Sequence, residues 1–244
     1  MKLAIDIGNT FIKCGVFHKT KIINRILIQS EQELLGLFKK HPLSQIIISS
    51  VVPNKSKKFI NYFKKHVNVP IETISYKKTN LKLKVQKPSS VGNDRICNVF
   101  GSIKLYSSPL IIIDFGTATT YDVVNSHDEF IGGIIAPGVE TSAKNLISKA
   151  ALLDNIKFEF PPNIIGNNTT NNIQSGIMFG AVAQVEGLVK KITKESKRQY
   201  TVILTGGFSR LLSSYLSIDH ILDLDLTLKG MFYINESHNQ EALF

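Results

Sequence analysis

Lys2-Leu3-Ala4-Ile5-Asp6-Ile7-Gly8-Asn9-Thr10 is an apolar run that carries one carboxylate and then breaks into a turn. A second apolar run, Phe11 to Phe17, follows directly. The pair predicts a β-hairpin whose turn gathers backbone N–H groups, an amide and a hydroxyl beside an acid. Asp6 is out of place as a plain strand residue, because Asp is depleted from strands and costly to bury. Phosphate oxygens suit such a turn, with the carboxylate facing an accompanying cation. An ordinary Gly-Asn hairpin turn explains the stretch equally well when it is taken alone.

A second copy tips the balance. Leu110-Ile111-Ile112-Ile113-Asp114-Phe115-Gly116-Thr117-Ala118-Thr119-Thr120 repeats the strand, the Asp, the Gly two residues on and the hydroxyl residues, 108 positions after Asp6. Strand-like runs follow it too, Tyr121 to Val124 and Phe130 to Ala136. Two hairpin-led α/β halves predict a duplicated architecture with a cleft between them. Neither turn is specific alone; together they predict two phosphate-facing loops meeting over one nucleotide.

The bulk properties fit such a chain. Its 244 residues hold one large domain or two small ones, with 43% hydrophobic and 20% charged residues, the balance of a soluble globular protein. No apolar run approaches the roughly 20 residues of a membrane span, and Met1-Lys2-Leu3 enters a strand without room for a signal peptide. Cys14 and Cys97 form neither a disulfide framework nor a metal-ligand spacing and read as buried thiols. These features predict a cytoplasmic protein that does not enter membranes. The formal net charge is +10, yet arginine stands only at positions 25, 95, 198 and 210, so lysine supplies 25 of the 29 basic residues. Base readout favours arginine, and single-strand binding wants aromatics among the charges. The expectation is a solvated lysine surface that attracts anionic substrates, not a nucleic-acid interface.

Between the two turns, Lys21 to Ile28 reads as a third strand, and Ser30 with Glu33 as a capping box opening a helix that stops near Pro42. Gln45 to Val52 has the β-branched pattern of a buried parallel strand, and Pro53 to His66 that of a helix. Short strands are expected at Val69 to Ile74 and Asn80 to Val85. Gly92-Asn93-Asp94-Arg95 then opens another helix. Asp94 there is explained by capping alone; Arg95 is not, since a cation is unfavourable at a helix start, and the pair suggests a bound anion.

Farther on, Gly132-Gly133 interrupts a strand, as where a ligand or another backbone comes close. Helices are expected over Glu140 to Leu153 and, capped by Asn171 or Asn172, over Ile173 to about Lys194. The first half of that long helix is apolar all round, predicting burial by its own domain or by a second subunit. Tyr200 to Leu204 is a buried strand running into Thr205-Gly206-Gly207, the end of a strand where α/β sheets bind ligands. A last helix starts at Leu226.

Taken together, this ordered set resembles the actin, hexokinase and heat-shock-chaperone ATPase superfamily, and within it the type III pantothenate kinases. The resemblance rests on Asp6 to Thr10 with Lys13, on Gly92 to Arg95 and on Asp114 to Ala118. Gly132-Gly133, Pro137-Gly138, Asn168-Thr169 and Thr205 to Gly207 support it. It implies an α/β fold of two ribonuclease-H-like domains with mixed sheets, here 1–108 and 109–244. The implied activity is ATP-dependent phosphorylation of pantothenate, the first step toward coenzyme A.

The same resemblance implies the site. Asp6, Ile7, Gly8, Asn9, Thr10, Phe11, Ile12 and Lys13 would hold the ATP phosphates, with Asp6 facing Mg²⁺; Thr117 would touch a phosphate, and Gly206 and Gly207 would lie near the nucleoside. Asp94 would be the catalytic base, and Gly92, Asn93, Asp94, Arg95 and Thr169 would line the pantothenate pocket. Asp114 would bind K⁺ or NH₄⁺, although the residues alone leave Mg²⁺ open there. A homodimer is implied, with pantothenate and ATP as the small-molecule partners. One departure stands out: Val85 occupies the neighbourhood where relatives carry an aromatic, commonly Tyr. Two other readings remain at this point, a kinase of another small hydroxyl compound and a non-catalytic ATP-binding regulator.

Overall fold

The computed structural model describes residues 1–149 and 157–241. The chain divides into two units, Met1–Tyr106 together with the segment that starts at Asp225, and Ser107–Leu224.

In the first unit, β1 (Lys2–Ile7), β2 (Ile12–His18) and β3 (Lys21–Ile28) form an antiparallel meander. After α1 (Leu35–Lys40), β4 (Gln45–Ser50) pairs parallel with β1; after α2 (Pro53–His66), β5 (Ile71–Thr73) pairs parallel with β4. The strand order is β3-β2-β1-β4-β5. A two-residue strand, β6 (Lys82–Leu83), and α3 (Asn93–Leu105) complete the run. Glu33 accepts from the backbone N–H groups of Ser30 and Gln29, the expected acid-to-cap bond, and a short 3₁₀ turn precedes α1.

One face of this sheet carries Leu3, Ile5, Ile7, Ile46 and Ile48 against Phe59 and Phe63 of α2. The other carries Ala4, Phe17 and Ile47 against Ile96, Cys97 and Phe100 of α3 and against the last helix, α7 (Leu226–Glu241). Burying each of the Leu, Ile and Phe side chains among them contributes about 1.5–3 kcal/mol. A Cβ on Gly230 would collide with the Cys97 carbonyl, so α7 crosses α3 nearly backbone to backbone.

In the second unit, β7 (Leu110–Phe115), β8 (Ala118–Val124) and β9 (Glu129–Pro137) form another antiparallel meander. After α4 (Val139–Lys149) and α5 (Thr169–Ser196), β10 (Thr201–Gly206) pairs parallel with β7; after α6 (Ser209–Ser213), β11 (Ile221–Leu222) pairs parallel with β10. The order β11-β10-β7-β8-β9 is that of the first unit with each strand replaced by its counterpart. The α/β class and the mixed sheets are as expected.

Several details differ from the sequence reading. α5 starts at Thr169, and Asn168 caps it by accepting from Asn171 N at 2.9 Å, so Asn171 and Asn172 lie inside the helix. The expectation for Leu153 falls outside the described residues. Gly132 has φ of +125° and open space where a Cβ would stand, so a glycine is required by backbone conformation at a register shift, not by a close neighbour. The division proposed at 108/109 differs from the contact division in the C-terminal helix. Leu228, Met231, Phe232 and Ile234 of α7 pack on the α3 side of the first sheet, which draws the helix to the N-terminal unit.

Candidate active site

Asp6 stands opposite Lys13 across the antiparallel pair and opposite Ser49 across the parallel one. Side chains alternate along a strand, so Asp6 shares the face of Ala4, the one covered by α3. The hairpin closes with Gly8 N donating to Phe11 O at 3.1 Å, which leaves Asn9, Thr10 and Phe11 exposed. A Cβ on Gly8 would stand 2.9 Å from that same Phe11 oxygen. The whole predicted segment Asp6 to Lys13 is therefore one strand end, one tight turn and one strand start.

Asp94 is the second residue of α3. Gly92 precedes the helix in a non-helical conformation, and its carbonyl accepts the Ile96 N–H at 3.0 Å. A Cβ at 92 would stand 2.5 Å from Asp94 Oδ1, so glycine there is what lets the carboxylate fold back to accept from Arg95 N at 2.8 Å. Asn93 Nδ2 donates to the Ser50 carbonyl at 3.2 Å, tying the helix start to the end of β4. Cys97, one turn later and fully buried, reports on the surroundings. Burial foremost, and then the negative charges of Asp6 and Asp94, push its thiol well above the ordinary range, while a contact with Ser49 opposes the rise.

The second unit builds its turn from other parts. Asp114 stands opposite Thr120 of β8 and Thr205 of β10. Gly206 has φ of +91°, and a Cβ on it would run into Asp114 Oδ1 and lie 2.5 Å from Phe115 N. This glycine is what allows the β10 end to close over the carboxylate. Gly116 N donates to Ala118 O at 3.1 Å. The carbonyl of Thr117 accepts from Gly138 N at 3.1 Å and from Thr141 Oγ1 at 2.6 Å, so the start of α4 holds the turn. Ser209 Oγ donates to Gly206 O at 2.6 Å and fixes the Gly206-Gly207 corner.

The predicted residues therefore fall into two groups. Asp6 to Lys13 and Gly92 to Arg95 lie in the first unit; Asp114, Thr117, Gly206 and Gly207 lie together in the second. Thr169, the first residue of α5, is exposed one turn before Asn172. Asn172 lines a cavity of about 660 Å³ walled by Phe115, Val139, Leu146, Ile173 and Ile177.

Sequence reasoning passed over Ser49, Ser50 and Lys55. The signal was available: Ser49-Ser50 ends an otherwise isoleucine-rich buried strand, just as Thr205 ends β10. Among the described residues no cluster of three or more His, Cys, Asp or Glu side chains is placed to hold a metal. A single carboxylate on each turn suits a cation whose remaining ligands are phosphate oxygens or backbone carbonyls.

Residues 2–191 match the family described as type III pantothenate kinase. A type III pantothenate kinase from Sulfurihydrogenibium sp. is 38% identical over 251 residues, covering 97% of this chain and 100% of its own. Another, from Bacillus cytotoxicus, is also 38% identical, covering 97% and 96%. Among solved structures, a Campylobacter jejuni protein described as a Baf family transcriptional activator aligns with TM-score 0.65 at 18% identity, over 98% of this chain and 99% of that one. The activator of 2-hydroxyisocaproyl-CoA dehydratase from Clostridium difficile, with bound ADPNP, aligns with TM-score 0.59 at 13% identity, over 100% and 97%. At such identities the structural matches speak for the fold alone. No helix among the described residues is long and apolar enough to cross a membrane.

Proposed function

The chain belongs to the type III pantothenate kinase family, and on that premise we propose that it transfers the γ-phosphoryl group of ATP to the primary hydroxyl of pantothenate, giving 4'-phosphopantothenate for coenzyme A synthesis. The observation that carries the proposal is this family match over most of the chain, with Asp94 set at a helix start by a glycine that makes room for its carboxylate.

Phosphoryl transfer asks a protein chiefly to position groups and balance charge. In this reading Asp94 takes the hydroxyl proton as the hydroxyl oxygen bonds to the γ-phosphorus. The bond from that phosphorus to the β–γ bridging oxygen breaks, and ADP leaves with the electron pair. A placed carboxylate of this kind contributes roughly 10²–10⁴-fold. Arg95 pairs with the pantothenate carboxylate or with the transferring group, while Gly92, Asn93 and Thr169 line the pantothenate pocket. Asp6 to Lys13 and Thr117 receive the phosphates, and Gly206-Gly207 the nucleoside. Asp6 would hold Mg²⁺, which neutralises phosphate charge when bound. Asp114, set between the hydroxyl residues Thr120 and Thr205, would hold K⁺ or NH₄⁺.

We further assign a homodimer in the cytoplasm. The support for a dimer is α5, whose Met178, Val182, Val185 and Val189 enter the core of its own unit while Gly176, Gly180 and Ala183 remain exposed. Light scattering at micromolar concentration tests it, and a monomer would sink it. The activity is tested by coupled ADP release with pantothenate varied and K⁺ exchanged for Na⁺. Turnover that needs pantothenate and falls in Na⁺ is expected; none with pantothenate under any cation would overturn the reading.

A further inference from the structure

The connection from β4 to α2 touches both parts of the first-unit site. Val51 N reaches Ile7 O at 3.4 Å, at the lip of the Asp6 hairpin. Ser50 Oγ accepts from Val52 N at 3.0 Å and lies 3.1 Å from Val52 O, and Ser56 N donates to Val52 O at 3.0 Å. These bonds make the connection a closed, stiff corner. From it two interactions reach outward. The Ser50 carbonyl receives Asn93 Nδ2 at 3.2 Å, on the residue before Asp94. Lys55 Nζ, in the first turn of α2, donates to Asn9 O at 3.0 Å, in the exposed hairpin turn.

We propose that this corner sets the phosphate turn and the Asp94 helix start against a common anchor, with Lys55 and Asn93 as its two positioning residues. The proposal rests on the kinase reading for what the two segments bind.

Peptide planarity explains how Lys55 acts. In a trans peptide the C=O and the next N–H point to opposite sides. Holding Asn9 O toward α2 therefore fixes the plane of the Asn9–Thr10 peptide and turns its N–H side away from α2. The neighbouring Lys58 behaves differently, sending its ammonium 3.0 Å to the carboxylate of Glu31. Among the described residues no carboxylate pairs with Lys55, so its charge remains at the turn. Asn93 acts on the other segment. Its bond to Ser50 fixes the peptide from which the Asp94 side chain starts. A misplacement of about 1 Å there is enough to cost up to roughly 10²-fold in rate.

The second unit holds its turn by the same logic with stiffer parts. Thr117 O is gripped by a backbone N–H and a threonine hydroxyl. The first-unit turn is gripped by a flexible lysine.

The test is a double dissociation on the full-length protein. For Lys55→Met, ATP affinity measured by calorimetry should fall about 10-fold, with kcat at saturating ATP within about 2-fold of wild type, and Lys55→Arg should restore affinity to within about 3-fold. For Asn93→Ala, ATP affinity should hold while kcat falls about 10-fold. Lys55 is exposed, so its replacement should leave the melting temperature unmoved. Unchanged ATP affinity in Lys55→Met, or equal losses of affinity and kcat in both variants, would overturn the proposal. The kinase reading fails separately: a wild type that binds ATP but leaves pantothenate untouched refutes that reading, while the Lys55 affinity ratio still decides the anchor. A wild type that binds no nucleotide refutes both.

Discussion

In the first unit Asp6 lies near the end of β1 with Lys13 on one side and Ser49 on the other; in the second Asp114 lies near the end of β7 with Thr120 and Thr205. The strand orders correspond one for one, and in both units the hydroxyl on the parallel side is fully buried. The difference lies in what surrounds each acid. A lysine beside Asp6 places both signs of charge at one turn, an arrangement suited to phosphate oxygens with a cation among them. The residues opposite Asp114 carry hydroxyls and Gly206 closes on its carboxylate, an oxygen setting of the kind hard cations accept. Duplicated topology therefore did not duplicate chemistry, and the divergence sits in the residues opposite each acid.

The largest effect expected from this contrast is at Asp94, which has no counterpart in the second unit's set of site residues. Asp94→Asn should keep the fold and ATP binding while kcat falls by at least roughly 10²-fold in the ADP-release assay. Near-normal turnover would move the proton acceptor elsewhere.

A second contrast is steric. Gly206→Ala must place a Cβ against Asp114 Oδ1 and Phe115 N at positive φ, while Gly8→Ala meets Phe11 O alone. The first should cost about 1–3 kcal/mol and the second less, read as a difference in chemical-denaturation midpoints. Equal losses would mean that the second turn is no more tightly closed than the first.

The smallest effect concerns the thiols. Cys14 and Cys97 both belong to the first unit, are free and are buried. Burial chiefly, with nearby carboxylates adding, pushes both upward from 9.0. Neither should react with a disulfide reagent at pH 8 in the native protein, and both should react in denaturant. The linkage has a definite sign: the folded thiols stay protonated while unfolded ones ionise, so stability is full below pH 9.0 and declines as pH rises beyond it. Rising stability through that range would show that the thiols are not held neutral.

Much of this was legible in the residues. β3 and α2 have the bounds that the residue pattern predicted, because a period-two run or a proline-led amphipathic run specifies its own geometry. The two Asp-x-Gly turns were visible as a repeat, and Gly92 to Arg95 as a helix start, since capping and turn formation depend on residues a few positions apart. Asn168 was missed as the α5 cap because Thr169 to Asn172 is a run of residues any of which can cap, and the choice was made by where the preceding loop delivers the chain.

Two features were beyond local reading. α7 follows the second-unit strands in sequence yet packs with α3, through Thr227 Oγ1 to Asn98 Oδ1 at 2.8 Å and the close Gly101–Gly230 crossing. Lys55 looked like one more lysine on a solvated helix, and its bond to Asn9 spans 46 residues. Strand pattern, turn chemistry and acid placement are properties of short windows, where sterics and burial period leave few choices. Which helix covers which face, and which lysine meets which carbonyl, depend on residues far apart in the chain being brought together, and no short window contains that information.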